Sequence, residues 1–156
     1  MNKRYFRFAR EASLRATYTG SHNFAPAIGA VAIYKGSIVA TACNSNKTSP
    51  LQAKYNIYRF HESDTLDKVH AEMALVQKLR WKFGDSIAWD KVHIYLYREY
   101  KDGRLAPSRP CPSCMAMLKE IKVKKIFYTT EDGYVEEKFK EFVFLRQYSR
   151  RRKRWC

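Results

Sequence analysis

Apolar side chains recur along this chain with two different periods, and each change of period marks an element. Over residues 3 to 16, "KRYFRFAREASLRA", Tyr5, Phe8, Ala9, Ala12 and Ala16 return at helical spacing while Arg4, Arg7 and Arg15 fall to the solvent side, which predicts a first amphipathic helix. The stretch "AIGAVAIYKGSIVATAC" is β-prone on both sides of Lys35-Gly36, and a glycine there eases a tight turn, so a hairpin is predicted. Residues 44 to 69 have no clean period and begin with turn formers, which predicts a long, partly ordered connection.

Helical spacing returns from His70 to Phe83, where Ala71, Ala74, Leu75, Leu79 and Phe83 form a stripe that Gly84 stops. "KVHIYLYRE" follows as a strand apolar on both faces, as a central strand covered on both sides requires. In "PCPSCMAMLKEI", Cys114, Met117, Leu118 and Ile121 share one helical face; "KKIFYTT" is a further strand, and Val135, Phe139, Phe142 and Val143 mark a last helix. "FVFL", at 142 to 145, fits either a continuation of that helix or a fifth strand. A strand-helix-strand succession needs parallel pairing by crossover, so the order predicts an α/β fold, a mixed four- or five-stranded sheet with helices on both faces.

A chain of 156 residues can bury one core but not two, so one site is expected. The hydrophobic share of 46% makes it globular despite a mean hydropathy of -0.55. No uncharged apolar run nears the roughly 20 residues that span a bilayer. The basic start "MNKRYFRFAR" has no apolar segment or cleavage site after it, so no secretory signal is read and a cytoplasmic setting is expected. There, four cysteines are expected as metal ligands, catalytic groups or buried thiols and not as a disulfide framework.

Thirty Lys and Arg against fifteen Asp and Glu give +15, which favours phosphate-bearing partners, either nucleotides or single-stranded nucleic acid. Five of these charges form "RRRKR", Arg150 to Arg154, and the rest are spread over the body. The expected division is therefore one domain over 1–147 and a basic C-terminal tail over 148–156. That tail, which includes Trp155, suits nucleic acid or a solvated end equally well.

Chemistry concentrates in two short motifs. Cys111 and Cys114 lie three positions apart at a helix entrance, with Pro112 suited to its first turn, and the helix N-terminus favours thiolates. His70 and Glu72 also open a helix. Two such helix starts facing each other would form a cup in which Zn²⁺ takes His70, Cys111 and Cys114, leaving a fourth position open to water. Bound water ionises near neutral pH, and Glu72 stands close enough to shuttle its protons without binding the metal.

"HAE" followed by "PCPSC" resembles the cytidine and deoxycytidylate deaminase superfamily of zinc-dependent nucleobase deaminases, which includes the tRNA adenosine deaminases. The resemblance runs from about the first helix to Thr130 and implies a three-layer α/β/α fold. It implies that His70, Cys111 and Cys114 hold zinc and that Glu72 is the catalytic proton carrier. It further implies substrate contacts from the backbone of Ala71, from Asn44 to the sugar and from Pro110 beside the motif, and an assembly of more than one subunit. The implied reaction is hydrolytic deamination, first of cytosine to uracil in a cytidine or deoxycytidine nucleotide, with cytosine or adenine in single-stranded DNA, RNA or tRNA as rival. "CMAMLK" has Met115 where the adenosine enzymes commonly have a small alanine-glycine pair, a departure that weighs against adenosine.

Blander readings apply to the same residues. A structural zinc site would need a fourth ligand from Cys43, His61 or His93, and would suit a catalytically idle nucleic-acid-binding module. Cys43 alone reads as a buried small hydrophobe, His22, His61 and His93 as surface or satisfied core residues, and Cys156 as a free thiol. Lys47, Lys54 and Arg59 interleave with Tyr55, Tyr58 and Phe60, a mixture that either binds bases and phosphates or packs the loop onto the core.

Overall fold

The computed structural model describes residues 1–16, 26–59 and 68–140. Within them, α1 (Arg4–Ser13) is followed by the hairpin β1 (Gly29–Tyr34) and β2 (Ser37–Cys43), then α2 (Pro50–Tyr55), α3 (Ala71–Phe83), β3 (His93–Tyr97), α4 (Pro112–Glu120), β4 (Lys125–Thr130) and β5 (Gly133–Lys138). Five strands form one sheet in the order β2-β1-β3-β4-β5. Only β3 and β4 pair in parallel; their connection through α4 forces that direction, and the other pairs are antiparallel.

Alternation along the strands sorts the core into two faces. Val31, Ile33, Tyr95, Tyr97 and Phe127 point to the side covered by Phe6 and Ala9 of α1. Ala30, Ala32, Ile94, Leu96, Ile126 and Tyr128 point to the other side, where Leu75 and Leu79 of α3 and Met117 and Leu118 of α4 cover them. Helices thus lie on both faces of a mixed sheet, and β3 is covered on both sides, as its sequence predicts.

The α1 face packs aromatic rings closely. Tyr95 and Phe127 stack with centroids 4.2 Å apart, and Phe6 meets Tyr95 edge-on at 5.1 Å. A Cβ at Gly29 would lie 1.8 Å from the backbone oxygen of Ala9, so only glycine lets α1 settle on β1. The hairpin turn also follows expectation, with Lys35 at φ 50° and Gly36 at φ 78°, the left-handed pair that a two-residue connection needs.

Two expectations need correction, and a third, the partly ordered connection, gains a short helix. The last helix marked by Val135 and Phe139 is instead the strand β5, with Phe139 just beyond its end, paired with β4 from Lys125↔Lys138 to Thr130↔Gly133. Glu131-Asp132 forms the turn and Gly133 takes φ 135°, so "DG" is a hairpin signal that outweighs a weak helical spacing. On α1, Phe6 is buried while Tyr5 and Phe8 are only half-buried, because the helix turns its Phe6-Ala9-Ala12 line to the sheet. The aperiodic connection contains α2, capped by the Ser49 hydroxyl accepting from the Gln52 N–H and started by Pro50. The readings placed on His22, Phe60, His61, Phe142, Val143, "FVFL" and the tail lie outside the described residues. Among the described residues, no helix is long and apolar enough to cross a membrane.

Candidate metal centre

Two helix starts build the centre. His70 is the N-cap of α3 and Cys111 the N-cap of α4, both with extended backbone at ψ 157° and 165°. Pro112 opens α4 and Cys114 sits in its first turn, fully buried. The segment leading to Cys111 is stitched across the carboxyl ends of the parallel pair: the Ser108 hydroxyl donates to the Leu96 carbonyl at 3.0 Å, and its N–H donates to the Thr129 carbonyl at 2.9 Å. That is where open α/β sheets place their ligand crevices.

His70 Nδ1 lies 3.5 Å from the Sγ of Cys111 and 3.5 Å from that of Cys114, and all three donor atoms fall within 4.8 Å of one another. Tetrahedral zinc, with bonds near 2.0 Å to nitrogen and 2.3 Å to sulfur, sets such ligands about 3.5 Å apart. The donor set fits the ion in both chemistry and spacing. Among the described residues no fourth Cys, His or carboxylate joins the group. Cys43 lies half-buried at the end of β2, and His93 sits on β3 with its ring 5.9 Å from that of Phe127. A site closed by either of them is therefore not what the fold builds.

Charge in the centre is finely balanced. The hydrogen bond from Cys114 draws the Cys111 thiol down to about 4 against its burial, with His70 assisting. Burial and the neighbouring Cys111 push Cys114 up. Burial works against a charged His70, but the hydrogen bond to Cys111 and the charges of Glu72 and Cys111 outweigh it and raise its pKa. Glu72, in the first turn of α3, is only 3% exposed, and burial lifts its carboxyl above the usual range even though His70 pulls the other way. Its Oε2 is buried with no hydrogen-bond partner among the described residues. A buried polar atom left unpaired is costly, so this oxygen points to a missing proton donor in the cup.

The other expected site residues are placed with varying support. Ala71 is the first residue of α3 and fully buried, and a first-turn N–H has no acceptor within its helix. Pro110 is buried immediately before Cys111. The Asn44 amide is committed to the chain itself: Oδ1 accepts from the Ile28 N–H at 2.8 Å and Nδ2 donates to the Pro26 carbonyl at 2.7 Å. The mixed loop divides, with Tyr55 in the core, Lys54 over its ring at 5.2 Å, Lys47 exposed and Arg59 half-buried.

Sequence reasoning passed over Gln52, Asn56 and Ser113. Gln52 is fully buried and takes the His70 N–H on its Oε1 at 3.2 Å, while Nε2 donates to Asn56 Oδ1 at 2.9 Å. The Ser113 hydroxyl, between the two cysteines, lies 3.1 Å from the same Asn56 oxygen and 2.6 Å from the Tyr55 carbonyl. Ser49-Pro50, a cap followed by a first-turn proline, is the signal that could have found α2 and hence Gln52.

This three-layer α/β/α chain brings a His-Cys-Cys cluster beside a buried glutamate, the donor pattern that zinc base deaminases use. The chain belongs to the cytidine and deoxycytidylate deaminase family, whose zinc-binding region matches residues 2–130. Among solved structures it is similar to the apo dCMP deaminase of the cyanophage S-TIM5, at 22% identity and a TM-score of 0.53 over 81% of this chain and 79% of that one. It is also similar to the cytidine deaminase of Burkholderia pseudomallei, at 15% identity and a TM-score of 0.58 over 88% of this chain and 93% of that one. These likenesses show the fold, including the mixed five-stranded sheet. A search of curated proteins finds no match.

Proposed function

We propose that this chain is a zinc-dependent hydrolytic deaminase that converts cytosine to uracil in a cytidine or deoxycytidine nucleotide, releasing ammonia. The observation that carries the reading is the buried, unpaired Glu72 Oε2 beside the three converging donors. A structural metal site has no use for such an oxygen. His70, Cys111 and Cys114 would hold zinc, which when bound supplies a Lewis acid that makes water a nucleophile near neutral pH. Glu72 takes a proton from the attacking water, delivers it to the ring nitrogen beside the reacting carbon, and later helps protonate the departing amine. The Ala71 N–H supports the base at the helix start.

The charge of +15 favours a second reading, in which the base lies within single-stranded DNA or RNA. Product mass after incubation with nucleosides, nucleotides, single-stranded DNA and tRNA separates the two, with Glu72→Gln run in parallel. A one-unit mass gain on a free pyrimidine nucleotide, lost in Glu72→Gln, supports the first. The same gain only within a polymer supports the second, and no gain on any substrate by zinc-loaded protein rejects both.

A further inference from the structure

We infer that Gln52 is a positioning residue for the metal centre, tying the histidine side of the cup to the cysteine side through Asn56 and Ser113. The inference rests on the proposed metal role of His70, Cys111 and Cys114. An N-cap residue donates no hydrogen bond within its own helix, so α3 holds His70 only through its carbonyl, which accepts from the Ala74 N–H at 3.0 Å. Gln52 Oε1 receives that N–H instead, while the preceding residue, Val69, is held to the segment after β2: its carbonyl accepts from the Ser45 N–H at 3.1 Å and its N–H donates to the Lys47 carbonyl at 2.9 Å. The backbone that carries the imidazole is thereby held from outside the helix as well as from within it.

The other end of the Gln52 amide leads to the second helix start. Nε2 donates to Asn56 Oδ1, and the Ser113 hydroxyl shares its proton between that oxygen and the Tyr55 carbonyl. Ser113 lies between the two cysteines on α4 and, like Gln52, is fully buried. The segment carrying Gln52 is itself fastened to α3, where Gln77 Nε2 donates to the Ser49 hydroxyl at 2.6 Å. A wholly buried amide in contact only with apolar groups would be destabilising; with both ends bonded, it fixes a distance. The distance fixed here is the one between His70 and the Cys111–Cys114 pair.

The test measures zinc affinity in full-length protein by competition with a chromogenic chelator, together with the visible absorption of the Co²⁺-substituted form. Gln52→Ala and Ser113→Ala are each expected to weaken zinc binding about 10–100-fold, the usual range for groups that orient metal ligands, and to alter the Co²⁺ spectrum. Their double variant is expected to lose less than the product of the two, because both cut one relay. Phe6→Leu, on the opposite face of the sheet, serves as a control for lowered melting temperature and is expected to keep zinc affinity within about twofold. Ser113→Ala removes a single oxygen and leaves the packing volume, so it carries the test if Gln52→Ala fails to fold. Tight zinc binding by the parent with Ser113→Ala and Gln52→Ala no weaker than Phe6→Leu would overturn this inference alone. A parent that binds no zinc would overturn it together with the metal site.

Discussion

The two faces of the sheet are built by different rules. On the α1 face, Phe6, Ala9, Tyr95, Tyr97 and Phe127 pack with no buried carboxylate, imidazole or amine among the described residues, and Gly29 admits a helix backbone almost onto the strand. On the opposite face, the apolar layer of α3 and α4 gives way at the helix starts to Gln52, Glu72 and Ser113, all buried. Well-packed apolar contacts tolerate little change of volume, whereas buried polar groups tolerate little change of hydrogen bonding. Damage to the first face should therefore appear as lost folding, and damage to the second as lost chemistry in a folded protein.

Glu72→Gln should separate the faces most sharply. Turnover is expected to fall by about 10²–10⁴ or more, the range of a lost general acid-base group, with zinc content retained and the melting temperature unchanged or raised. Steady-state product formation and metal analysis on one preparation check both halves; a fall in melting temperature with activity intact would break the comparison.

Removal of zinc by a chelator should come next. Release of an ion that binds only the folded chain is expected to lower stability by about 4 kcal/mol when zinc had been at roughly a thousand times its Kd. Thermal unfolding at several zinc concentrations reads this directly. A melting temperature independent of zinc would detach the centre from the fold.

Gly29→Ala tests the other face, and a cost of about 3 kcal/mol is expected because the added methyl meets backbone that cannot swing aside. Denaturant unfolding gives the loss, and zinc affinity of the remaining folded fraction should match the parent. The smallest effect is expected at the rim, where Arg109 pairs through two hydrogen bonds of 2.8 Å with Glu137, which also accepts from the Tyr128 hydroxyl at 3.0 Å. The Arg109 hydrogen bonds hold the Glu137 carboxyl below its ordinary 4.5, so their stabilisation is complete above that pH and is lost as the pH falls through the lowered value. Arg109→Ala should cost about 1 kcal/mol or less at neutral pH and flatten the acid limb of the stability profile, as measured by unfolding between neutral and acid pH.

Much of the fold was legible from period alone. The β1–β2 hairpin, the central strand β3 and the helices behind each motif follow from local alternation, turn glycines and proline placement. The strand β5 is hidden in the sequence because Val135 and Phe139 fit a helical spacing by chance, while Glu136, Glu137 and Lys138 between them are all charged; an edge strand needs a partner more than a pattern, and β4 supplies it. The short α2 offers too few turns for a period to show. Its cap was visible, but Gln52 reads as any surface glutamine until the fold buries it.

By itself, the sequence determined the candidate donors and the acid: His70 and Glu72 share one helix start and Cys111 and Cys114 another, so each pair is arranged by backbone geometry over a few residues. Only the tertiary structure decided that His70 Nδ1 stands 3.5 Å from both sulfurs, that Glu72 Oε2 is left unpaired, and that Cys43 and His93 stay out of the cluster. Those facts depend on contacts between segments far apart in the chain, whose meeting is fixed by burial of the sheet faces and by the bonds of Gln52 and Ser113, and no local pattern encodes them.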